Sequence, residues 1–81
     1  MIKEYKHIKF LMLELNRETN PPTLKYLCAN KSQEDLGLVQ WYEPWKQYCY
    51  FDKVEGIYSQ SCLLDIADFL SQLNNLKNNP K

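Results

Sequence analysis

The sequence predicts an α+β fold in which a small, mainly antiparallel four-stranded sheet carries a C-terminal helix on one face. Two observations predict it. Apolar side chains recur at every second position up to about residue 51, which is typical of strands, and at three- and four-residue steps after Ser59, which is typical of an amphipathic helix. At 81 residues the chain has room for a single domain, 1–81, with one core.

Four segments have the composition of strands, and turn-forming residues separate them. The first is apolar on both faces, which indicates a central strand covered on two sides, although periodicity alone leaves a short helix open. Pro44 cannot donate a hydrogen bond to a strand ladder, so we place the turn between the last two strands at Glu43-Pro44. The predicted strands are 5–15, 23–30, 36–42 and 45–51.

The predicted helix covers 61–73. Ser59 or Ser61 is expected to cap its N-terminus, and Asp65 and Asp68 favour its early turns through the helix dipole. Residues 74–81 are expected to form a frayed, polar tail. The apolar stripe of the helix consists of Cys62, Leu63, Ile66, Phe69, Leu70 and Leu73.

Residues 36–51 form an aromatic hairpin that holds both tryptophans and three of the six tyrosines. A two-residue turn, or any turn of even length, divides its side chains between two sides of the sheet. The leucine side is expected to lie under the helix and consists of Leu36, Leu38, Cys49 and Phe51. The ring side is then expected to face away from the helix, because one helix covers one side of a sheet, and it consists of Val39, Trp41, Tyr48 and Tyr50.

Three explanations of the ring side stay open. The first strand or nearby loops could fold over it, a second copy could cover it, or it could bind a ligand or a partner. Flat rings stack on bases or on protein side chains, and a lysine attracts phosphate, so the residues do not distinguish a protein from a small nucleotide. We expect a homo-oligomer with the ring side near its seam. The candidate ligand- or partner-binding residues are Val39, Trp41, Trp45, Lys46, Tyr48 and Tyr50.

Composition argues against several classes of function. Ten basic residues balance ten acidic ones, so the excess of positive charge that is typical of duplex DNA binding is missing, and no segment resembles a membrane span or a secretory signal. Cys28, Cys49 and Cys62 are too widely spaced for a zinc site and odd in number, which indicates buried thiols in a reducing cytoplasm. His7 is the only histidine. We therefore expect no catalytic residues, no metal and no cofactor.

The hairpin also resembles small uncharacterised proteins of bacteria and their phages that carry a Trp-Tyr-x-Pro-Trp-x-x-Tyr-Cys segment before a C-terminal helix. The matching residues are the run 41–51, followed by Ser59, Cys62, Leu63, Asp65, Ile66, Phe69 and Leu70. The resemblance implies an intracellular accessory protein, of the kind that often inhibits or sequesters a host factor. We therefore expect a non-enzymatic binding protein, with a structural homo-oligomer subunit, or a small hydrolase using His7, Asp65 or a cysteine, as the alternatives.

Overall fold

The computed structural model describes residues 5–19, 21–32, 34–53 and 56–78. In these residues four strands pair antiparallel in chain order, and one helix packs against the sheet. The predicted α+β fold is confirmed. The elements are β1 (Ile8–Asn16), β2 (Thr23–Asn30), β3 (Asp35–Tyr42), β4 (Gln47–Asp52) and α1 (Gln60–Asn78).

The turn of the aromatic hairpin is longer than predicted. Glu43–Trp45 form a single 3₁₀ turn, which suits the fixed φ of Pro44, and Lys46 ends it in the left-handed conformation at a φ of 54°. Tyr42 therefore pairs with Gln47 and not with Trp45, so the predicted start of the fourth strand at residue 45 is wrong. Because the four-residue connection is still even, the predicted division of the hairpin into two sides holds.

The helix covers the ring side, and the prediction that the leucine side lies under it is wrong. Val39 is fully buried in the core with α1, and Tyr48 is only 5% exposed. Trp41 and Tyr50 pack against the same core. Leu36 also packs at its margin, whereas the other members of the leucine side lie on the opposite face: Leu38, Cys49 and Phe51.

The first two strands explain this choice of side. Tyr26 of β2 pairs with Val39, so the apolar side chains of β1 and β2 that share its face meet the ring side of the hairpin. The opposite face carries Lys25 and Glu14, which are paired across β1 and β2. A helix on that face would take these charges out of water at a substantial cost.

Phe69 of α1 is the centre of the core and is fully buried. Its ring stacks on Phe10 with centroids 3.9 Å apart and meets Tyr26 edge-on at 4.9 Å. Burying one such side chain stabilises the fold by about 1.5–3 kcal/mol. Leu63 was predicted in the same stripe but is 52% exposed, while the rest of the stripe contributes to the core or packs on it: Cys62, Ile66, Leu70 and Leu73.

Both ends of α1 are held by side chains. Ser59 caps the N-terminus, since its Oγ accepts the backbone N–H of Cys62 at 3.1 Å. The helix continues past Leu73 to Asn78, so the prediction of a frayed tail is wrong for 74–78, and 79–81 lie outside the described residues. The reason is Asn74, whose Oδ1 accepts the backbone N–H of Tyr48 at 2.7 Å and whose Nδ2 donates to the Tyr48 carbonyl at 3.4 Å.

A polar cluster ties the chain before β1 to the middle of α1. Tyr5 donates its hydroxyl to Asp68 at 2.7 Å, and Gln72 donates to both Tyr5 and Asp68. Burial and the neighbouring carboxylate raise the pKa of Tyr5 well above its ordinary value. The first turn of α1 carries no acidic residue, so Asp65 and Asp68 lie beyond it.

Candidate functional site

The structure separates the six predicted site residues. Val39 and Tyr48 are buried beneath α1, and Trp41 and Tyr50 are half-buried against the core. Trp45, 66% exposed, and Lys46 lie at the hairpin turn. The prediction that the ring side faces away from the helix is therefore wrong, and a ligand could reach most of it only after α1 had moved.

The hydroxyl groups of the ring side make structural hydrogen bonds. Tyr48 accepts the backbone N–H of Leu24 at 3.0 Å. Tyr50 and Tyr58 share a hydrogen bond of 2.8 Å, and Tyr58 also donates to Asp52 at 2.6 Å. Burial raises the pKa of both Tyr50 and Tyr58. Tyr48 is thus a polar-tipped core residue, a common role for buried tyrosine, and Tyr50 and Tyr58 pack against the core.

Gly37 makes room for one of these rings. A Cβ atom at this position would lie 2.6 Å from the hydroxyl oxygen of Tyr50, which is closer than real Cβ contacts. The ring of Tyr50 therefore lies directly against the backbone of β3, where a side chain would displace it.

Glu43 organises the hairpin turn. Its Oε1 accepts the indole N–H of Trp41 at 2.8 Å, and its Oε2 accepts a hydrogen bond from the Lys46 ammonium group. The pair with Lys46 is exposed and contributes little to stability. It does, however, offset the positive charge of Lys46, which would otherwise attract phosphate.

The face of the sheet opposite α1, here called the open face, carries an apolar row in continuous register. Leu11 pairs with Leu27, Leu27 with Leu38, and Leu38 with Phe51, one residue from each strand. We call these four residues the leucine row. With strands about 4.8 Å apart, the row is about 14 Å long. Leu11 is 45% exposed, and the other three are half-buried.

Two aromatic rings, those of Tyr42 and Trp45, extend the leucine row from Phe51 toward the hairpin turn. Tyr42 meets Phe51 edge-on with ring centroids 5.8 Å apart, and Trp45 meets Tyr42 at 5.2 Å and 90°. We call Phe51, Tyr42 and Trp45 the ring ladder. Trp45 is the one member that is also among the predicted site residues. The apolar composition of both faces of the first strand was a signal for the Leu11 end of the leucine row. That strand is an edge strand and not the predicted central one.

Charged pairs lie around the apolar part of the open face. Lys25 and Glu14 are 3.9 Å apart, and Lys53 and Asp35 are 3.3 Å apart, with all four side chains partly exposed. An apolar centre with a charged border is the usual composition of a protein-binding surface.

A cavity of about 230 Å³ lies where β1 ends and β2 begins. Its volume is below the roughly 300–1,000 Å³ of typical small-molecule sites. Its lining is mixed, with an ion pair and several amides and hydroxyls: Glu14, Asn16, Thr19, Thr23, Leu24, Lys25, Gln40 and Trp41.

Nucleophilic and metal-binding side chains are dispersed. Cys28 and Cys62 are buried free thiols as predicted, whereas Cys49 is partly exposed. Burial raises the pKa of Cys28 to about 12, so this thiol is protonated at neutral pH and is a poor nucleophile. Across the described residues, no three His, Cys, Asp or Glu side chains are grouped closely enough to hold a metal ion. In the same part of the chain, no helix combines the length and apolarity that crossing a bilayer requires.

Comparison of the chain with known protein families, curated proteins and solved structures finds no match. The resemblance of the hairpin segment to phage and bacterial proteins therefore stays a prediction.

Proposed function

We propose that this chain is a non-enzymatic interaction protein that binds another protein through the open face. One observation carries the proposal: the leucine row and the ring ladder occupy outward positions of the sheet. An antiparallel sheet with one face in water normally places polar residues at those positions. Contiguous exposed apolar surface of this kind is typical of interaction sites.

The chemistry of the open face supports a protein partner over a nucleotide. Leucine side chains and edge-on rings suit an apolar contact, and tryptophan and tyrosine are frequent hot-spot residues in protein interfaces. Lys46, the cation nearest Trp45 in sequence, is already paired with Glu43. The charged pairs at the border match a polar rim that excludes water from the centre.

The dimensions of the face support a modest interface. Four strands of about eight residues cover roughly 19 × 26 Å, or about 500 Å² on this chain. Together with the partner the buried area is about 1,000 Å², near the lower end for a specific complex. An amphipathic helix of about ten residues, roughly 15 Å long, matches the length of the leucine row. The partner would then form a third layer on the sheet, opposite α1.

Such a surface is sufficient for the role that the hairpin resemblance implies. An inhibitor or sequestering protein needs a binding face and no catalytic group. The three free cysteines agree with action in a reducing cytoplasm. We therefore propose that the chain acts as an inhibitor or sequestering protein in the cytoplasm.

The experiment compares tagged variants in the recovery of partners from the source cells. Leu38→Glu places a charge in the leucine row, Trp45→Ala shortens the ring ladder, and Leu64→Glu is the control on the exposed outer side of α1. A specific partner is recovered by the wild type and by Leu64→Glu, and is lost with Leu38→Glu. The purified partner is then titrated by calorimetry, with circular dichroism to confirm that every variant is folded.

Trp45→Ala should weaken binding of the purified partner about 10–30-fold, the loss expected for an exposed aromatic hot spot. Equal binding by the wild type and Leu38→Glu would refute the open face as the site. Saturable quenching of tryptophan fluorescence by nucleotides, in the absence of any protein partner, would favour the nucleotide alternative instead.

A further inference from the structure

The two edges of the sheet differ in how their backbone is covered. At the β4 edge, the side chain of Asn74 bonds both the N–H and the carbonyl of Tyr48, as a neighbouring strand would. At the β1 edge lies a nine-residue strand with exposed apolar side chains, among which Met12 is 60% exposed. Proteins usually shorten, charge or cover an edge of this kind, because it is a template for pairing with another strand.

The backbone groups of β1 that point outward follow from the register. The N–H of Tyr48 points away from β3, so its pair with Trp41 is of the type without ladder hydrogen bonds. In an antiparallel sheet, pairs with and without ladder hydrogen bonds alternate along each strand, and a residue that bonds the strand on one side does not bond the strand on the other. Counting across the sheet from the pair of Trp41 with Tyr48, the pair of Leu11 with Leu27 is therefore joined by ladder hydrogen bonds. The N–H and carbonyl groups of Phe10 and Met12 therefore point outward, away from β2.

We propose that a second copy of this chain pairs antiparallel with β1, about a two-fold axis at Leu11, to form one continuous eight-stranded sheet. In this register Phe10 and the partner's Met12 exchange backbone hydrogen bonds, and the reciprocal pair does the same. Leu11 faces the partner's Leu11 at the axis. The exposed Met12 packs beside the partner's Phe10, on the helix-covered side of the sheet.

Charge complementarity favours a second copy over an unrelated strand. A β-bulge between Met12 and Glu14 leaves Leu13 as the extra residue and places Glu14 on the open face with Lys9. With Leu11 on the axis, and the bulge in both strands, Lys9 lies opposite the partner's Glu14, a carboxylate that is also paired with Lys25 within its own chain, and the reverse pair forms by symmetry. Opposite charges directly across a ladder stabilise it, and a self-complementary contact is what a two-fold dimer requires.

The same register joins the leucine rows of the two copies. Leu11 ends the row at β1, so a two-fold axis at this residue makes one apolar row across eight strands. The edge contact is confined to the backbone and side chains of β1, so it leaves Leu27, Leu38, Phe51 and the ring ladder uncovered. Failure of the dimer would therefore leave the proposed function standing, and failure of the proposed function would leave the dimer.

Sedimentation equilibrium of the purified full chain, from about 10 µM to about 1 mM, tests the pairing. The wild type is expected to approach twice the 9.7 kDa of one chain. Met12→Pro removes an outward N–H without touching the ladder to β2, so it should remain at the mass of one chain with an unchanged circular dichroism spectrum. Met12→Ala is the matched control, and it should associate like the wild type to within a few-fold.

Charge reversal gives a second measurement that does not depend on proline. Lys9→Glu and Glu14→Lys should each weaken association about tenfold, and the double variant should recover the wild-type dissociation constant. A wild type that stays at the mass of one chain at about 1 mM would overturn the proposal. So would a Met12→Pro variant that associates like the wild type, or a dimer that only Leu38→Glu disrupts, since the contact would then be the open face.

Discussion

Removal of one hydroxyl group tests whether the ring side of the hairpin is core. Tyr48 is buried, and its hydroxyl oxygen accepts the backbone N–H of Leu24 at 3.0 Å. In Tyr48→Phe the ring remains and keeps its edge-on contact with Trp41, whose ring centroid is 5.5 Å away. The substitution therefore isolates the loss of one hydrogen bond to a backbone donor.

The expected cost follows from the burial of that donor. A buried donor left without a partner costs about 1–3 kcal/mol. Leu24 is half-buried, so water reaches its N–H in part, and we expect Tyr48→Phe to lower the free energy of unfolding by about 1.5 kcal/mol. For a domain of this size that lowers the melting temperature by about 6–12 °C. The variant stays folded, because 81 residues provide a total stability of about 4–12 kcal/mol.

Urea unfolding followed by circular dichroism measures the difference, with an unchanged slope against urea as the sign that both variants unfold to the same state. Tyr42→Phe is the matched control. Tyr42 lies half-buried on the open face, and its substitution should change the free energy of unfolding by less than about 0.5 kcal/mol. A change of less than about 0.5 kcal/mol in the free energy of unfolding for Tyr48→Phe would refute the placement of Tyr48 in the core. Equal changes for the two variants would refute it as well.

Three further outcomes are expected. Asn74→Ala should lower the free energy of unfolding by about 1–2 kcal/mol in urea titrations, because both backbone groups of Tyr48 lose their partner; an unchanged stability would show that α1 does not hold the β4 edge. Maleimide labelling of the native protein at neutral pH, read by mass spectrometry, should modify Cys49 first, and Cys28 and Cys62 only in denaturant. Burial raises the pKa of Cys28 from 9.0 to about 12, so the unfolded chain loses this proton at a lower pH than the folded chain. Stability should therefore be complete below about pH 9 and fall as the pH rises toward 12; a urea midpoint that is constant over this window would contradict the burial of that thiol.

Local patterns in the sequence were enough to predict the elements of the fold. The change of apolar period near Ser59 located the helix, and Pro44 located the last turn. Turn length was less predictable, since a 3₁₀ turn of Glu43–Trp45 depends on the side-chain contacts of Glu43 as well as on proline. The helix C-terminus was missed because Asn74 is held by the distant residue Tyr48, which leaves no local signal.

The side of the sheet under the helix could not be predicted from the hairpin alone. The alternation of side chains within β3 and β4 divides the hairpin residues correctly between the two faces of the sheet. It does not show which face is buried. That information lies in β1 and β2, where Phe10 and Tyr26 share the face of Val39. It becomes readable only once the register between strands is known, and a bulge in β1 and another in β3 shift that register.

The same dependence on register explains why the leucine row was missed. Its members lie on four different strands, and their alignment depends on loop lengths and bulges that the sequence does not reveal. Trp45 was selected because it lies in the aromatic run. Its contact with Tyr42 shows that the exposed rings belong to the open face and not to the ring side.

The apolar side chains that remain exposed are difficult to explain by the stability of one chain. Leu11 and Met12 are 45% and 60% exposed, so they contribute less burial to the fold than core residues do, while an exposed apolar edge promotes aggregation. The chain also has a device for protecting an edge, since Asn74 bonds the outward backbone of β4. β1 carries a bulge and the charged residues Lys9 and Glu14, which are devices of the same kind, yet Leu11 and Met12 remain exposed between them. This contrast between the two edges is the observation behind the proposal that a second copy pairs with β1, and any alternative explanation of this strand has to account for the same contrast.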